Sequence, residues 1–252
     1  MRLIHPVLGR GARTNALAVA LGMLVVGSTA LALRAFIPAN RTAAIALLGL
    51  SAALGLVVGV AMIWREVRAR RWRNDVGEDI ARLLGPALDD SYTLVLAPHL
   101  PGVPADLAAL LVGPAGVRAL IARRWRGRYR VRGRGWEADT SSRAGWIPTP
   151  TNPSFDADAV ADAVTRWSRA TIDDPSVGIT PAITFPRQYS SVVLEEPAGE
   201  IVTTDNAPWW AQTIGRVQRL DAHRAARFIE AVLSASEAQA TATSRSAAPR
   251  VV

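Results

Sequence analysis

Two short apolar runs, at about residues 106–112 and 117–124, flank Gly113-Pro114-Ala115-Gly116. Glycine at both ends of a Pro-Ala pair is turn chemistry, because Pro fixes φ and Gly accepts conformations other residues resist. The runs are too short for helices and rich in Leu, Val, Ile and Ala, so they read as two buried strands of one hairpin. Two such strands belong in a layered domain of strands and helices if the neighbouring elements alternate accordingly. Arginines crowd in as the second run ends: seven lie in the twelve residues from Arg123 to Arg134.

The neighbouring sequence supplies those layers. Asn74 or Asp75 can cap a helix running to Leu84, with Val76, Ile80, Leu83 and Leu84 on one face and Gly85-Pro86 ending it. Tyr92 to Leu96 is β-rich, and Arg128-Tyr-Arg-Val-Arg132 alternates as a half-exposed strand does. Gly133 to Pro153 reads as a surface loop. Asp156 to Thr171 is a helix carrying Val160, Val164 and Trp167. Strands follow at 182–185, 191–194 and 200–204, then helices at 208–214 and 221–233. Residues 234–252 are Ala/Ser/Thr-rich without an apolar period and read as a disordered tail. The order specifies an α/β (α+β layered) domain over residues 75–233.

All 29 basic residues are Arg, and there is no Cys. Thiolate metal sites, a Cys nucleophile and Lys-dependent catalysis are therefore excluded. His5, His99 and His223 are scattered and share no ligand spacing. Residues 1–64 carry five Arg and no acid, residues 65–134 carry 14 Arg against seven acids, and residues 135–252 carry 10 against 14. This asymmetry points to an anionic partner, nucleic acid or anionic lipid.

Ala16 to Leu33 and Ala43 to Trp64 are apolar and uncharged. Both approach the roughly 20 residues that a membrane-spanning helix needs, so residues 1–64 read as a two-helix transmembrane hairpin. Arginines at 2, 10 and 13 and at 65, 68, 70, 71 and 73 flank it. The positive-inside rule then predicts a multi-pass protein of the cell membrane, with both termini and the folded domain cytoplasmic and 65–74 as a basic juxtamembrane segment. The competing reading makes the first run a signal peptide cleaved at Ala30-Leu-Ala32.

From about Gly77 to Leu233 the chain resembles the NERD (nuclease-related) domains of the restriction-endonuclease-like superfamily. The resemblance rests on Gly77-Glu78 opening the first helix, Val112-Gly113-Pro114-x-Gly116, and the strand into Trp125-Arg-Gly127. Trp136, Asn152-Pro153 before a helix and Thr184-Phe185-Pro186 complete it. It implies a three-layer domain with a central mixed sheet and Mg²⁺-dependent phosphodiester chemistry. The family pattern puts an Asp, a Glu and a Lys where this chain has Ala108, Ile121 and Arg123, and a Gln early in the Asn-Pro helix has no counterpart. Only Glu78 is retained, with Asp106 as a displaced candidate. Ala and Ile offer Mg²⁺ no oxygen, and Arg123 stays protonated and cannot serve as a base.

The first expectation is thus a membrane-anchored, catalytically degenerate NERD-like protein without a cofactor. It would bind nucleic acid or another anionic partner through Arg124, Arg126, Arg128, Arg130, Arg132 and Arg134, with Trp125 and Tyr129 as stacking platforms. The alternatives are an active Mg²⁺-dependent nuclease, with Glu78 and Asp106 on the metal and Arg123 on the phosphate, and an assembly protein of the cell envelope. The bland reading of the arginine strand is a sheet edge blunted by charge.

Overall fold

The computed structural model describes residues 1–6, 57, 60, 61, 64, 75–140, 145–172, 177–187, 189–216 and 218–246, with the last seven described by backbone alone. The chain divides into two compact units, Met1–Val7 with Arg73–Gln239, and Leu8–Trp72 with Ala240–Val252. In the second unit, Val57, Val60, Ala61 and Trp64 are helical.

The first unit is a mixed α/β structure. In chain order its elements are β1 (Arg2–Ile4), α1 (75–84), β2 (Thr93–Leu96), β3 (Leu107–Gly113) and β4 (Gly116–Ala122). Next come β5 (Gly127–Gly133), β6 (Gly135–Asp139), β7 (Trp146–Pro148), α2 (Pro153–Ile172) and β8 (Ile179–Phe185). β9 (Ser190–Pro197), β10 (Glu200–Thr203), α3 (Ala207–Gly215) and α4 (Ala222–Ser246) follow. A central six-stranded sheet has the order β1-β2-β3-β4-β8-β10. β2, β3 and β4 pair antiparallel, whereas β1–β2, β4–β8 and β8–β10 are parallel, so the sheet is mixed. A second sheet has the order β7-β6-β5-β9.

The expected hairpin lies at the centre. Gly113 pairs with Gly116 around Pro114-Ala115. Gly116 has φ +101°, which glycine adopts without the Cβ penalty. Gly113 is required for a different reason: a Cβ there would lie 2.2 Å from the Tyr92 ring. The Pro114 carbonyl accepts the amides of Arg219 and Leu220 at 2.7 and 3.0 Å, which ties the hairpin tip to the approach to α4.

Side-chain alternation sends the sheet's residues to two cores. Leu94, Leu96, Leu111, Leu120 and Ala122 pack with Val76, Ile80 and Leu84 of α1 and Trp210 and Ile214 of α3. Val95, Leu110, Val117, Ala119 and Ile121 pack instead with Val160, Val164 and Trp167 of α2 and Phe228 and Val232 of α4. Val131 and Trp136 of the second sheet join that group. Helices thus cover both faces of the central sheet.

Several expectations change. Residues 133–153 are not one loop. Gly133-Arg134 forms a tight turn, with φ +55° at Gly133, and returns the chain as β6, which then pairs with β7. The C-terminal helix continues to Ser246 rather than ending at 233, and Ser236 is buried where its Oγ accepts the His99 amide. Arg2 belongs to an edge strand of the central sheet rather than to the flank of a span.

The expected multi-pass membrane localisation does not stand. Among the described residues no helix is long and apolar enough to cross a membrane. The two longest, α2 and α4, pack an apolar face on the core and carry charged residues such as Asp162, Arg166 and Arg227 elsewhere. All of 16–33, most of 43–64, all of 65–74, and 247–252 lie outside the described residues.

Candidate functional site

An open cleft of about 690 Å³ runs along α1. Asp75, Glu78, Asp79 and Arg82 line it from the helix, and Arg187 and Tyr189 from the segment joining β8 to β9. Thr204, Ala207 and Pro208 close the other side. Helical spacing explains the first wall. Positions 76, 80 and 84 face the core, 75, 78 and 82 face solvent, and 79 falls at the boundary of the apolar stripe.

Asp79 is only 3% exposed. Its Oδ1 accepts Arg82 Nη1 at 3.1 Å, while Oδ2 accepts both Arg124 Nη2 and Arg187 Nε at 2.5 Å. Burial opposes ionisation of the carboxyl, but the hydrogen bonds and charges of Arg187 and Arg124 outweigh it and hold the group below its ordinary value. Arg124 is 19% exposed, stands 4.0 Å from Asp75, and has a buried Nε without an acceptor. Tyr189 is 57% exposed at the rim, with the guanidinium carbons of Arg126 and Arg187 at 5.5 and 5.9 Å from its ring centre.

The residues expected to form a nuclease centre do not converge. Glu78 is exposed on the cleft wall. Asp106 is exposed in the turn before β3 and does not line the cleft. Ile121 faces the opposite core, and Arg123 donates to Asp156 of α2 at 2.5 Å. Strand parity is the cause: Ala122 and Arg124, not Ile121 and Arg123, share a face with α1. A bulge between Leu107 and Ala109 puts Ala108 on the α1 side together with Ala109.

These residues do not fit Mg²⁺. The one buried carboxylate in the cleft is already engaged by three guanidinium groups, whose charge opposes a divalent cation beside it. Among the described residues no three His, Asp or Glu side chains are grouped as a metal site.

The arginine strand is also different from the expectation. Arg128 pairs with Asp139, Arg130 with Glu137, Arg132 with Glu195 and Arg134 with Asp158. Carboxylates on β6 and β9 therefore pair with Arg128, Arg130 and Arg132, and Asp158 of α2 pairs with Arg134, in the row that was expected to track phosphates. Trp125 is not an open platform. It packs against Tyr129, Trp136 and Phe185 with ring centres 4.8, 5.8 and 6.2 Å away, and the Tyr129 hydroxyl donates to the Arg126 carbonyl.

No family model, curated protein or solved structure matches this chain. Asp79, Arg82, Arg187 and Tyr189 were absent from the expected site. Asp79 had a sequence signal, being an acid on the edge of an apolar helical stripe. Arg187 and Tyr189 had none, because only the β4–β8 pairing carries their segment beside α1.

Proposed function

We propose that this domain is a restriction-endonuclease-like, NERD-like scaffold that binds a phosphate-bearing ligand in the Asp79 cleft and does not hydrolyse phosphodiesters. One observation carries the reading. Three guanidinium groups from separate parts of the chain converge on one buried carboxylate, and Arg124 Nε is left without an acceptor. Each guanidinium has five N–H groups and Asp79 uses one from each, so donor forks remain for an oxyanion. Arg82 and Arg187 lie on the cleft wall, where their remaining donors can take a phosphate oxygen.

The absence of hydrolysis follows from parity. The face that carries Glu78 presents Ala108 and Ala122 from the strands, and neither has an oxygen for a metal. The Asn152-Pro153 helix, where the resemblance expects Gln, supplies Asp156 to Arg123 on the opposite face. In both clusters the carboxylate is taken up by arginine, so neither presents an open set of carboxylates to a metal.

Calorimetric titration of the full chain with ribose 5-phosphate and with ribose tests the proposal. Only the phosphate is expected to bind, and Arg187→Gln should weaken it about tenfold or more, since a charged hydrogen bond is worth about 1.5–3 kcal/mol. Equal heats from the two sugars sink the reading.

A further inference from the structure

We propose that the ligand of the Asp79 cleft is a nucleoside monophosphate, a conclusion that rests on the phosphate-binding reading. The cleft is graded in depth. On its wall Arg187, held on Asp79, is 36% exposed, while Tyr189, the only aromatic ring on that wall among the described residues, is 57% exposed. A ligand with phosphate inward and a flat group outward matches that gradient. The guanidinium groups of Arg126 and Arg187 lie over the Tyr189 ring, and a base can stack on that Arg–Tyr layer at the rim.

Size and charge select a small ligand over a polymer. About 690 Å³ lies within the range of small-molecule sites. Along β5 the arginines Arg128, Arg130 and Arg132 are paired with carboxylates, so among the described residues that strand offers no free row of cations leading out of the cleft. Residues 75–239 hold 17 Arg against 20 acids, which provides no surplus for the phosphates of a strand. Glu78 and Asp75 select further. Glu78 is an exposed carboxylate with no ion pair among the described residues, and Asp75 lies at the marginal distance of 4.0 Å from Arg124. Both can accept hydrogen bonds from sugar hydroxyls, and both repel a second or third phosphate.

Equilibrium titration of the full chain with AMP, ribose 5-phosphate, ATP and a single-stranded oligonucleotide tests the inference, using the wild type, Tyr189→Leu and Glu78→Gln. AMP is expected to bind about tenfold tighter than ribose 5-phosphate. Tyr189→Leu, at an exposed position, should remove that advantage, read as the ratio of the AMP and ribose 5-phosphate affinities. Glu78→Gln should tighten ATP relative to AMP. Equal affinities for AMP and ribose 5-phosphate overturn the nucleotide assignment but leave phosphate binding standing. Tighter binding of the oligonucleotide than of AMP, with a steep salt dependence, also overturns it. If neither AMP nor ribose 5-phosphate binds, the phosphate reading itself falls.

Discussion

Asp79 is surrounded by more positive charge than one carboxylate can neutralise. Its neutral replacement leaves Arg82, Arg124 and Arg187 facing each other at a largely buried point. Asp79→Asn is therefore expected to cost about 3 kcal/mol, the scale of breaking a buried pair from one side. Denaturant unfolding at neutral pH would check this. The depressed acidity of Asp79 also sets a pH dependence. The folded chain holds the ionised form more strongly than the unfolded chain does. The contribution is thus complete above the ordinary carboxylate value and is lost as pH falls through the lower folded value. Between neutral pH and about pH 3, the wild type should lose more stability than Asp79→Asn, and parallel pH curves for the two would refute the assignment. Gly113 offers a separate test. A methyl group there overlaps the Tyr92 ring, so Gly113→Ala should cost about 1–3 kcal/mol by overpacking. Trimming the ring in the double variant Gly113→Ala, Tyr92→Leu should recover part of that loss.

Among the elements, β5 shows where a strand's own sequence misleads. Arg128, Arg130 and Arg132 alternate as an exposed basic row should, and the strand forms as its pattern predicts. The acids that neutralise the row come from β6 and β9, which only the folded pairing brings alongside. Replacing all three by Gln should leave the affinity for a phosphate ligand unchanged within about twofold, because none of them lines the cleft. A larger loss in calorimetry would move the site onto the strand. The hairpin and α1 were legible because turn chemistry and helical period are local properties. β6 and β7 were not, since Trp136 to Asp139 becomes a strand through its partner β5 and a two-residue turn inside Gly-Arg-Gly. The site failed for a related reason. Ile121 and Ala122 are equally apolar, so nothing local reveals which of them shares a face with Asp79.

At the scale of the whole molecule, the net charge of +8 does not belong to the folded α/β region. Outside residues 75–239 there are 12 Arg and a single acid. Any salt-sensitive association of the full chain with duplex DNA should therefore survive replacement of Arg128, Arg130 and Arg132 with little change in the slope of log affinity against log salt. A slope reduced by about two to three units would return those residues to the interface.

The hairpin tip has a consequence in time rather than in space. Pro114 has no N–H of its own, yet its carbonyl holds the amides of Arg219 and Leu220 about a hundred positions later. Those two protons can exchange with solvent only when the turn and the approach to α4 separate. In deuterium exchange they should behave as one unit with the amides of β3 and β4, at a rate set by opening of the central sheet and not by fraying of α4. Two amides far from the hairpin in sequence thus serve as its clock.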